Sequence, residues 1–388
     1  MIQDLKVLII GAGIGGLALA RVLALRGADV TVLEQAGEIK EVGAGIQVSP
    51  NGLAVIRALG LEARLEASGA VLADTVQLCD YRGKSVLQLD LTQLSPQKYY
   101  FVHRADLIGI LADGAREAGV KIQLLQKVAR VEDGPRACVT LASGAQREAD
   151  LVVGCDGVHS VVRGALNGAA EPFFTGNVAW RATVPNQWAR RSDVRVHMGP
   201  RRHLVSYPLK GGELVNLVAV EEQRSWMAES WTLEDDPANM RAAFEGFGAE
   251  AQAMLDAVEA VKCWGLFRHP VAAAWHGQSL AVLGDAAHPT LPFLAQGAVM
   301  ALEDAWAMGV ALERAESLQA GLAAYQNLRH ARAEKVVATA TGNAWKYHLS
   351  FGPLRFAAHS VLRLGGAVAP RAMLRQFDWL YDYDVTAI

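Results

Sequence analysis

The sequence predicts an α/β protein with a parallel-sheet body, an inserted antiparallel sheet and a helical C-terminal region. Three apolar runs, at residues 6–10, 151–154 and 279–283, have the composition of strands buried on both faces of a parallel sheet. Between residues 173 and 264 the pattern changes to stretches that alternate apolar and polar residues, as half-buried antiparallel strands do. No repeat or low-complexity tract interrupts this order.

The N-terminal part of the chain follows a strand–helix–strand order. A helix is expected from about Gly15 to Leu25, and a second strand from Val30 to Glu34. Ser49, followed by a proline, has the residue type of a helix N-cap, and Arg104 to Gly119 has a further helical pattern. The body is therefore expected to alternate strands and helices.

Departures from this order define the inserted unit. Residues 71–91 read as two strands around the turn 81–84, and residues 210–212 join two alternating stretches as a hairpin. From Gly297 the chain is expected to be mainly helical. The predicted units are a discontinuous body at residues 1–70, 98–172 and 268–345, a β-sheet unit at residues 71–97 and 173–267, and a helical tail at residues 346–388.

Composition and charge exclude several classes of protein. The chain has 388 residues, 52% of them hydrophobic and 20% charged, so it can bury a large core. The net charge of −3 argues against a nucleic-acid partner. The four cysteines have neither C-x-x-C nor zinc spacing, so we expect no metal site and a reducing, cytoplasmic environment. We expect a monomer or a homodimer.

The apolar content is nevertheless high, with a mean hydropathy of +0.16. The run from Leu5 to Leu25 contains four glycines, and the run from 353 to 369 contains Arg355, His359 and Arg363. A membrane span lacks such interruptions, so we expect no stable membrane insertion. The second run is expected to be a packed helix or an interfacial segment.

A glycine motif follows the first predicted strand. Gly11, Gly13 and Gly16 form G-x-G-x-x-G, with Gly15 inside it, directly before a helix. Such glycines allow a tight turn, a close approach of backbone to a pyrophosphate, and close packing of helix on strand. Glu34 ends the next strand 23 residues after Gly11, where a carboxylate can accept ribose hydroxyls. The motif predicts dinucleotide binding; the alternative is a glycine-rich structural turn.

Two further loops follow buried strands. Asp285, in the segment Gly284–Pro289, places a carboxylate near the first site, or it only caps its loop. His288 in the same segment is either part of the site or a residue that only shapes the turn. Asp156, before Gly157, either holds its turn or contacts the same ligand, and Arg163 can serve a phosphate or an internal ion pair.

In this order and spacing, the three motifs resemble the single-component FAD-dependent aromatic hydroxylases, a family with p-hydroxybenzoate, salicylate, 3-hydroxybenzoate and 6-hydroxynicotinate monooxygenases. Residues 102–107 are similar to the family's H-R-x-x-L segment. The resemblance spans nearly the whole chain and implies a Rossmann-like FAD-binding body. The cofactor-binding residues that it implies are Gly11, Gly13, Gly15, Gly16, Glu34, Gly45, Arg104, Asp156, Asp285, Pro289, Gly297 and Ala298.

The resemblance also implies a reaction. FAD is the expected cofactor, NADH or NADPH the co-substrate, and O₂ the oxidant that adds to the flavin as a C4a-hydroperoxide. The expected substrate is a small hydroxyaromatic carboxylate, salicylate-like. Two alternatives remain: hydroxylation or epoxidation of a larger or non-aromatic substrate on the same scaffold, and a non-catalytic flavin-binding redox protein.

Candidate catalytic residues lie in the predicted antiparallel sheet. Strand alternation places His203, Val205 and Tyr207 on one face, in a stretch similar to the salicylate and 3-hydroxybenzoate branch. A histidine can take a phenol proton near neutral pH. The alternatives are a structural His203 and a Tyr207 that only packs.

Other positions concern the substrate and the flavin. Gln47 and Phe293, candidates for the substrate pocket, stand where the 6-hydroxynicotinate enzyme carries histidines. Val299 replaces a family asparagine, which is expected to alter hydrogen bonding beside the flavin. Arg181, Arg202 or another base could bind a substrate carboxylate, and the sequence does not choose among them. The C-terminal residues 379–384 are expected to cover the site.

Overall fold

The computed structural model describes residues 2–39, 45–94, 96–188, 192–225 and 234–388. The strands are β1 (Lys6–Ile10), β2 (Asp29–Leu33), β3 (Gly45–Val48), β4 (Val71–Leu72), β5 (Thr75–Asp80), β6 (Ser85–Asp90), β7 (Tyr100–His103), β8 (Lys121–Gln123), β9 (Val128–Glu132), β10 (Ala137–Leu141), β11 (Gln146–Ala149), β12 (Leu151–Gly154), β13 (Phe173–Pro185), β14 (Asp193–Gly199), β15 (Arg202–Leu209), β16 (Leu214–Glu222), β17 (Glu234–Asp235), β18 (Val261–Arg268) and β19 (Leu280–Val282).

The helices are α1 (Ile14–Ala24), α2 (Pro50–Ala58), α3 (Glu62–Ala67), α4 (Arg104–Glu117), α5 (Val161–Asn167), α6 (Pro237–Ala243), α7 (Ala249–Asp256), α8 (Gly297–Arg314), α9 (Leu318–Tyr347), α10 (Gly352–Val368), α11 (Pro370–Arg375) and α12 (Asp378–Tyr381). None of the helices in the described ranges is long and apolar enough to cross a membrane.

The body is built on a five-stranded parallel sheet of order β19-β12-β1-β2-β8. The three strands predicted to be buried on both faces, β1, β12 and β19, are neighbours in it. Their valine, leucine and isoleucine side chains pack into the main core together with α1 and α8. The predicted α/β class is therefore confirmed.

The inserted sheet has eight strands in the order β17-β18-β13-β16-β15-β14-β5-β6. The strands β13, β15 and β16 pair antiparallel, as the alternation predicted. The pair β5–β14 is parallel, which the sequence pattern did not indicate. The reason is connectivity, because the hairpin β5–β6 and the strand β14 come from distant parts of the chain and meet side by side.

Buried charges join α8 to α9 and to the loop after β19. The Arg329 guanidinium lies 2.6 Å from Glu303 Oε2 and donates from Nε to Asp304 Oδ1 at 2.8 Å. Asp304 Oδ2 accepts from the Gly284 amide at 3.1 Å and lies 2.5 Å from His288 Nε2. His288 is therefore a structural residue that helps to hold its loop, which is one of the two roles expected from the sequence. The arginine and both carboxylates are fully buried.

Removal of Arg329 should destabilise the fold. In Arg329→Met, the charges of Glu303 and Asp304 lose a buried cation, which should lower the free energy of unfolding by about 3–5 kcal/mol. The matched control, Arg116→Met, removes the surface ion pair with Asp113 and should cost less than about 1 kcal/mol. Urea denaturation of both variants compares the two losses. Equal losses would contradict the structural role of the Arg329 ion pairs.

Candidate active site

The glycine turn after β1 leaves one open approach to the backbone. Gly11 has φ +101°, and a Cβ there would lie 2.5 Å from the Cys155 carbonyl oxygen. A Cβ at Gly16 would clash with the Gly11 carbonyl oxygen. At Gly13 a Cβ would meet nothing within 4 Å. The outer glycines therefore permit packing, while Gly13, at the start of α1, faces the space in which a phosphate can accept from backbone amides.

At Gly15, the remaining glycine of the motif, a side chain would point into the protein. A Cβ there would lie 2.7 Å from the Leu283 side chain and 3.2 Å from Cβ of Ala301 on α8. Gly15 therefore lets α1 pack closely against its neighbours. Within the predicted set of cofactor-binding residues, Gly15 has an observed role in helix packing.

Glu34 directly follows β2 and binds two segments of backbone, the glycine turn and the loop after β2. Its Oε2 accepts from the Ala12 amide and its Oε1 from the Ala36 amide, each at 2.8 Å. Each carboxylate oxygen can accept a second hydrogen bond. The position therefore still suits contact with ribose hydroxyls, although its observed partners are backbone amides.

Charged groups face each other between the glycine turn and the inserted sheet. Burial lowers the pKa of Arg104 to about 10; the nearby Arg181 lowers it further and Asp285 opposes the shift. Desolvation raises the pKa of Asp285, and Arg104 and His288 act in the opposite direction. The Asp285 side chain still reaches solvent, as expected for a group on the wall of a cleft. Pro289 is buried in the same loop.

Asp156 combines a structural contact with an unused acceptor. Its Oδ2 accepts from the Val161 amide at 2.8 Å and so holds the turn before α5. Its Oδ1 is buried without a hydrogen-bond partner among the described residues. Desolvation raises the pKa of this carboxyl. Both roles weighed for Asp156, the turn and a ligand contact, are therefore compatible with the geometry.

Arg163 has a different role from the two considered in the sequence. Its Nη1 donates to the carbonyls of Ala286 and Ala287 at 3.1 Å, and its Nη2 donates to the Pro270 carbonyl at 2.8 Å. The guanidinium thus satisfies three backbone carbonyls of the loop around β19. It binds the Asp285 loop to α5, so the proposed phosphate contact and ion pair are both wrong.

The N-terminus of α8 is held by buried polar side chains. Gln296 Nε2 donates to Ser49 Oγ at 2.9 Å, and Gln296 Oε1 accepts from Asn51 Nδ2 at 3.0 Å. The expected N-cap hydrogen bond of Ser49 is absent; its hydroxyl oxygen accepts from Gln296 Nε2 and its proton is donated to Asn51 Oδ1. These contacts fix the first residues of α8, Gly297 and Ala298, which are half-buried.

Val299 does not face a ligand. Its side chain is fully buried. Its methyl groups pack against Gly52, where an added Cβ would lie 2.9 Å from them. The expectation that Val299 alters hydrogen bonding beside the flavin is therefore wrong. The residue points into the contact between α2 and α8, where an apolar side chain packs without an unsatisfied polar group.

Gly45 belongs to the wall shared by β3 and the inserted sheet. Its amide donates to Asn216 Oδ1 at 2.8 Å, and a Cβ would clash with the Tyr207 ring. Gly45 therefore makes room for Tyr207, whatever contact it makes with a cofactor. Gln47, two residues further on β3, accepts from the Tyr99 hydroxyl at 2.7 Å.

One face of the inserted sheet gathers the predicted catalytic residues. His203, Val205 and Tyr207 alternate along β15, and Val205 lies opposite Val218, which lies opposite Arg181. Residues opposite each other on neighbouring strands share a face. Arg181 therefore lies on the face that carries His203 and Tyr207. Around His203 this face is apolar, with Ala179, Val218, Val220 and Trp264, and Phe293 packs against them.

Arg181 is a half-buried cation without an acidic partner among the described residues. Its guanidinium stacks 5.1 Å from the Trp264 ring centroid, and its Nε has no hydrogen-bond partner among the described residues. Burial lowers its pKa, although an arginine remains protonated. Arg202, the other candidate, forms an ion pair with Glu221 at 3.0 Å. The structure therefore distinguishes the two arginines, since Arg202 has an acidic partner and Arg181 has none among the described residues.

His203 begins a chain of hydrogen bonds that ends at the surface. Its Nδ1 lies 2.6 Å from His348 Nε2, and His348 Nδ1 lies 3.0 Å from Glu222 Oε1. Both rings are buried, whereas the Glu222 side chain is 37% exposed. Since the carboxylate can only accept, His348 Nδ1 donates to it, and His203 Nδ1 donates to His348 Nε2. This arrangement leaves Nε2 of His203 as an acceptor.

Burial keeps His203 neutral. Desolvation, with a smaller effect from His348, holds its pKa well below the ordinary value. Burial likewise raises the pKa of Tyr207, and Arg181 opposes this shift. A neutral imidazole with a free lone pair is suited to accept a proton, whereas Tyr207 stays protonated. The geometry thus suits His203 better than Tyr207 as a base.

Aromatic residues from other elements complete this wall. The Phe293 ring lies 5.2 Å from His203, and Tyr347 of α9 lies 5.3 Å from it, between ring centroids. Tyr381 of α12 contacts Tyr99 edge-to-face at 5.9 Å. The C-terminal segment therefore packs on the ring that binds Gln47.

Sequence reasoning missed His348, Glu222 and Asn216. His348 follows α9, 145 residues from its partner, and no local pattern links the two. Asn216 could have been found, because it lies directly opposite Tyr207 once β15 and β16 are paired.

Comparison with known proteins identifies the family. The sequence pattern of the FAD binding domain matches residues 4–340. The chain is 35% identical over 362 residues to the 3-amino-4-hydroxybenzoate 2-monooxygenase of Streptomyces cremeus, covering 90% of each chain. It is 33% identical over 398 residues to the 3-hydroxybenzoate 6-hydroxylase of Polaromonas naphthalenivorans, covering 98% of this chain and 97% of that protein. A salicylate hydroxylase substrate complex has the same fold, with a TM-score of 0.83 at 22% identity over 99% of this chain and 97% of that one.

The protein belongs to the FAD-dependent aromatic hydroxylases. The resemblance inferred from the motifs is confirmed, and the chain is a flavoprotein monooxygenase with FAD as its cofactor. The site fits this cofactor: Gly13 leaves room for a pyrophosphate, and the buried Asp156 Oδ1 is an unused acceptor.

The glycine turn offers a selective test of cofactor binding. In Gly13→Val, the new side chain meets no protein atom but fills the open approach to the backbone, so the apoprotein should fold while FAD retention is lost. Gly342→Val places the same side chain in open space on α9 and should keep its flavin. Flavin absorbance and circular dichroism of both variants check this. A folded, fully yellow Gly13→Val would refute the placement.

Proposed function

We propose that this protein uses NADH or NADPH, O₂ and bound FAD to hydroxylate a small hydroxyaromatic carboxylate. The observation that carries the proposal is one sheet face that presents a neutral His203 and a cationic Arg181 among apolar side chains. A phenol needs a base, and a carboxylate needs a cation. A face with both selects a ring that carries both groups. The names of the relatives, two hydroxybenzoate hydroxylases, support the same class.

In the proposed role, Arg181 binds the substrate carboxylate. A guanidinium can make two parallel hydrogen bonds to a carboxylate, which fixes the orientation of the ring as well as its position. The stacking of Arg181 on Trp264 restricts the side chain in advance, so less conformational freedom is lost on binding. Arg202 is not proposed for this role because Glu221 already neutralises it.

His203 is the proposed base. Its Nε2 accepts the phenol proton, and its Nδ1 proton can pass to His348 Nε2 as His348 releases its own Nδ1 proton toward Glu222. The net result is a phenolate in a buried site and a proton at a side chain that reaches solvent. A phenolate carries more electron density on the ring than a phenol, which favours attack by an electrophilic oxygen.

Bound FAD supplies the electron transfer and the activation of O₂. Residues of the glycine turn, with Glu34, Arg104, Asp156 and Asp285, are proposed to hold it. Around the substrate, Val205, Val218 and Val220 present no hydrogen-bonding side chain and so exclude water from the reacting ring. The polar groups on this face include His203, Arg181 and the hydroxyl of Tyr207, with Asn216 opposite Tyr207.

A substrate screen tests the proposal together with Arg181. NADH or NADPH oxidation by the holoenzyme should accelerate with salicylate or 3-hydroxybenzoate and yield hydroxylated product, but respond weakly to phenol. Arg181→Met should raise KM for the carboxylate about 10–100-fold, since a charge-assisted hydrogen bond is lost. Arg202→Met, the matched control, should leave KM unchanged. If no hydroxyaromatic carboxylate stimulates turnover, the proposed substrate class is wrong; a normal KM in Arg181→Met removes its proposed role alone.

A pH series tests the role of His203. His203→Gln should retain FAD but lose about 10²–10⁴-fold in hydroxylation at neutral pH, the usual contribution of a general base. A phenol ionises unaided near pH 10, so the deficit should shrink as the pH rises. His276→Gln, on a part-exposed ring that bonds the backbone, should behave as wild type. Product formed per NADH oxidised is the measurement. A deficit that is the same at every pH would indicate a structural His203.

A further inference from the structure

The helix α10 has its apolar side outward. At 3.6 residues per turn, its exposed side chains occupy about 160° of the circumference. Within this arc Ser360 is the only polar side chain, and its hydroxyl donates to the Phe356 carbonyl at 2.8 Å. The large apolar side chains of the arc are Leu354 (45% exposed), Phe356 (70%), Val361 (70%), Leu364 (65%) and Val368 (76%), with Phe351 (68%) just before the helix.

The polar side chains of α10 point the other way, into the protein. Arg355 donates to the Leu349 carbonyl at 3.0 Å, and Arg363 donates to the Ser85 carbonyl at 3.0 Å. His359 is buried. A surface helix in water normally has the opposite arrangement, with apolar residues toward the core. The outer face of α10 is therefore built for surroundings other than water.

The segment of chain that carries this face is basic, and its acidic neighbours in space come from outside the segment. Asp80 pairs with Arg363 at 3.9 Å, and Asp378 and Asp382 line a groove with Arg371 and Arg375. Between Glu334 and Asp378 the sequence contains no acidic residue, in a chain whose net charge is −3. Exposed cations precede and follow α10 along the chain, with Lys346 before it and Arg371 and Arg375 after it. The exposed indole of Trp345 lies beside Lys346. The six basic residues of this interval are Lys335, Lys346, Arg355, Arg363, Arg371 and Arg375.

We propose that the outer face of α10 docks on the surface of an anionic lipid bilayer. Apolar side chains flanked by cations and an indole match the boundary between acyl chains and negative headgroups. Docking at this depth needs one apolar helix face and no spanning segment, in agreement with the described helices. A second copy of the chain fits less well, because pairing the same face about a two-fold axis brings the basic segment of one copy against the same basic segment of the other.

A vesicle flotation experiment tests the proposal on the holoenzyme. The protein should float with vesicles of phosphatidylcholine that contain about one quarter phosphatidylglycerol, less with pure phosphatidylcholine, and less in high salt. The triple variant Phe356→Ser, Val361→Ser, Leu364→Ser should bind at least about tenfold more weakly, because three inserted apolar side chains are lost. Leu125→Ser, at an exposed leucine far from α10, is the control and should bind normally.

The outcomes separate lipid docking from other uses of the face. Flavin content and a melting curve verify that the triple variant is folded. Lack of flotation with anionic vesicles overturns the proposal. If the wild type is then a dimer by light scattering and the triple variant a monomer, the face is a contact between copies of the chain. Binding that the triple variant retains in full also overturns the proposal. None of these readouts depends on hydroxylation, so the proposed reaction can fail without affecting them.

Discussion

The carboxylate of Asp304 holds together the parts of the protein that form the site. Its oxygens contact the Gly284 amide, the His288 ring and the Arg329 guanidinium, all in the interior. These partners belong to the loop that presents Asp285 and to α9, whose C-terminal end leads to His348. One buried carboxylate therefore links the loop that presents Asp285 to the helix that leads to His348.

The buried charges of the molecule fall into two kinds. Arg329 lies between Glu303 and Asp304, so the protein itself compensates for the loss of water of these charges. Arg181 and Asp156 are also withdrawn from water, but each keeps a polar atom without a partner among the described residues. Such groups are costly unless a ligand supplies the missing contact. Charges that have protein partners hold the structure around the site, whereas charges with an unpaired polar atom are its candidate ligand-binding positions.

The fold could be predicted from the sequence because its signals are local. The apolar runs of β1 and β12, the glycine turn and the alternation along β15 each depend on a few neighbouring residues. The site was predicted only where a motif marked it, as at Gly13 and Asp285. The pairing of His203 with His348, the choice of Arg181 over Arg202 and the inward direction of Val299 depend on contacts between distant segments. Single-sequence patterns carry no record of these contacts.

The parallel pair β5–β14 has a consequence for the order of folding. The hairpin β5–β6 ends at Asp90, while its neighbour β14 begins only at Asp193. During synthesis, the edge of β5 remains unpaired while β7 to β13 emerge and the first strands of the body can assemble. A contact between such distant segments closes late, because the intervening chain must first be ordered. The substrate sheet should therefore be completed on a nucleotide-binding body that is already in place.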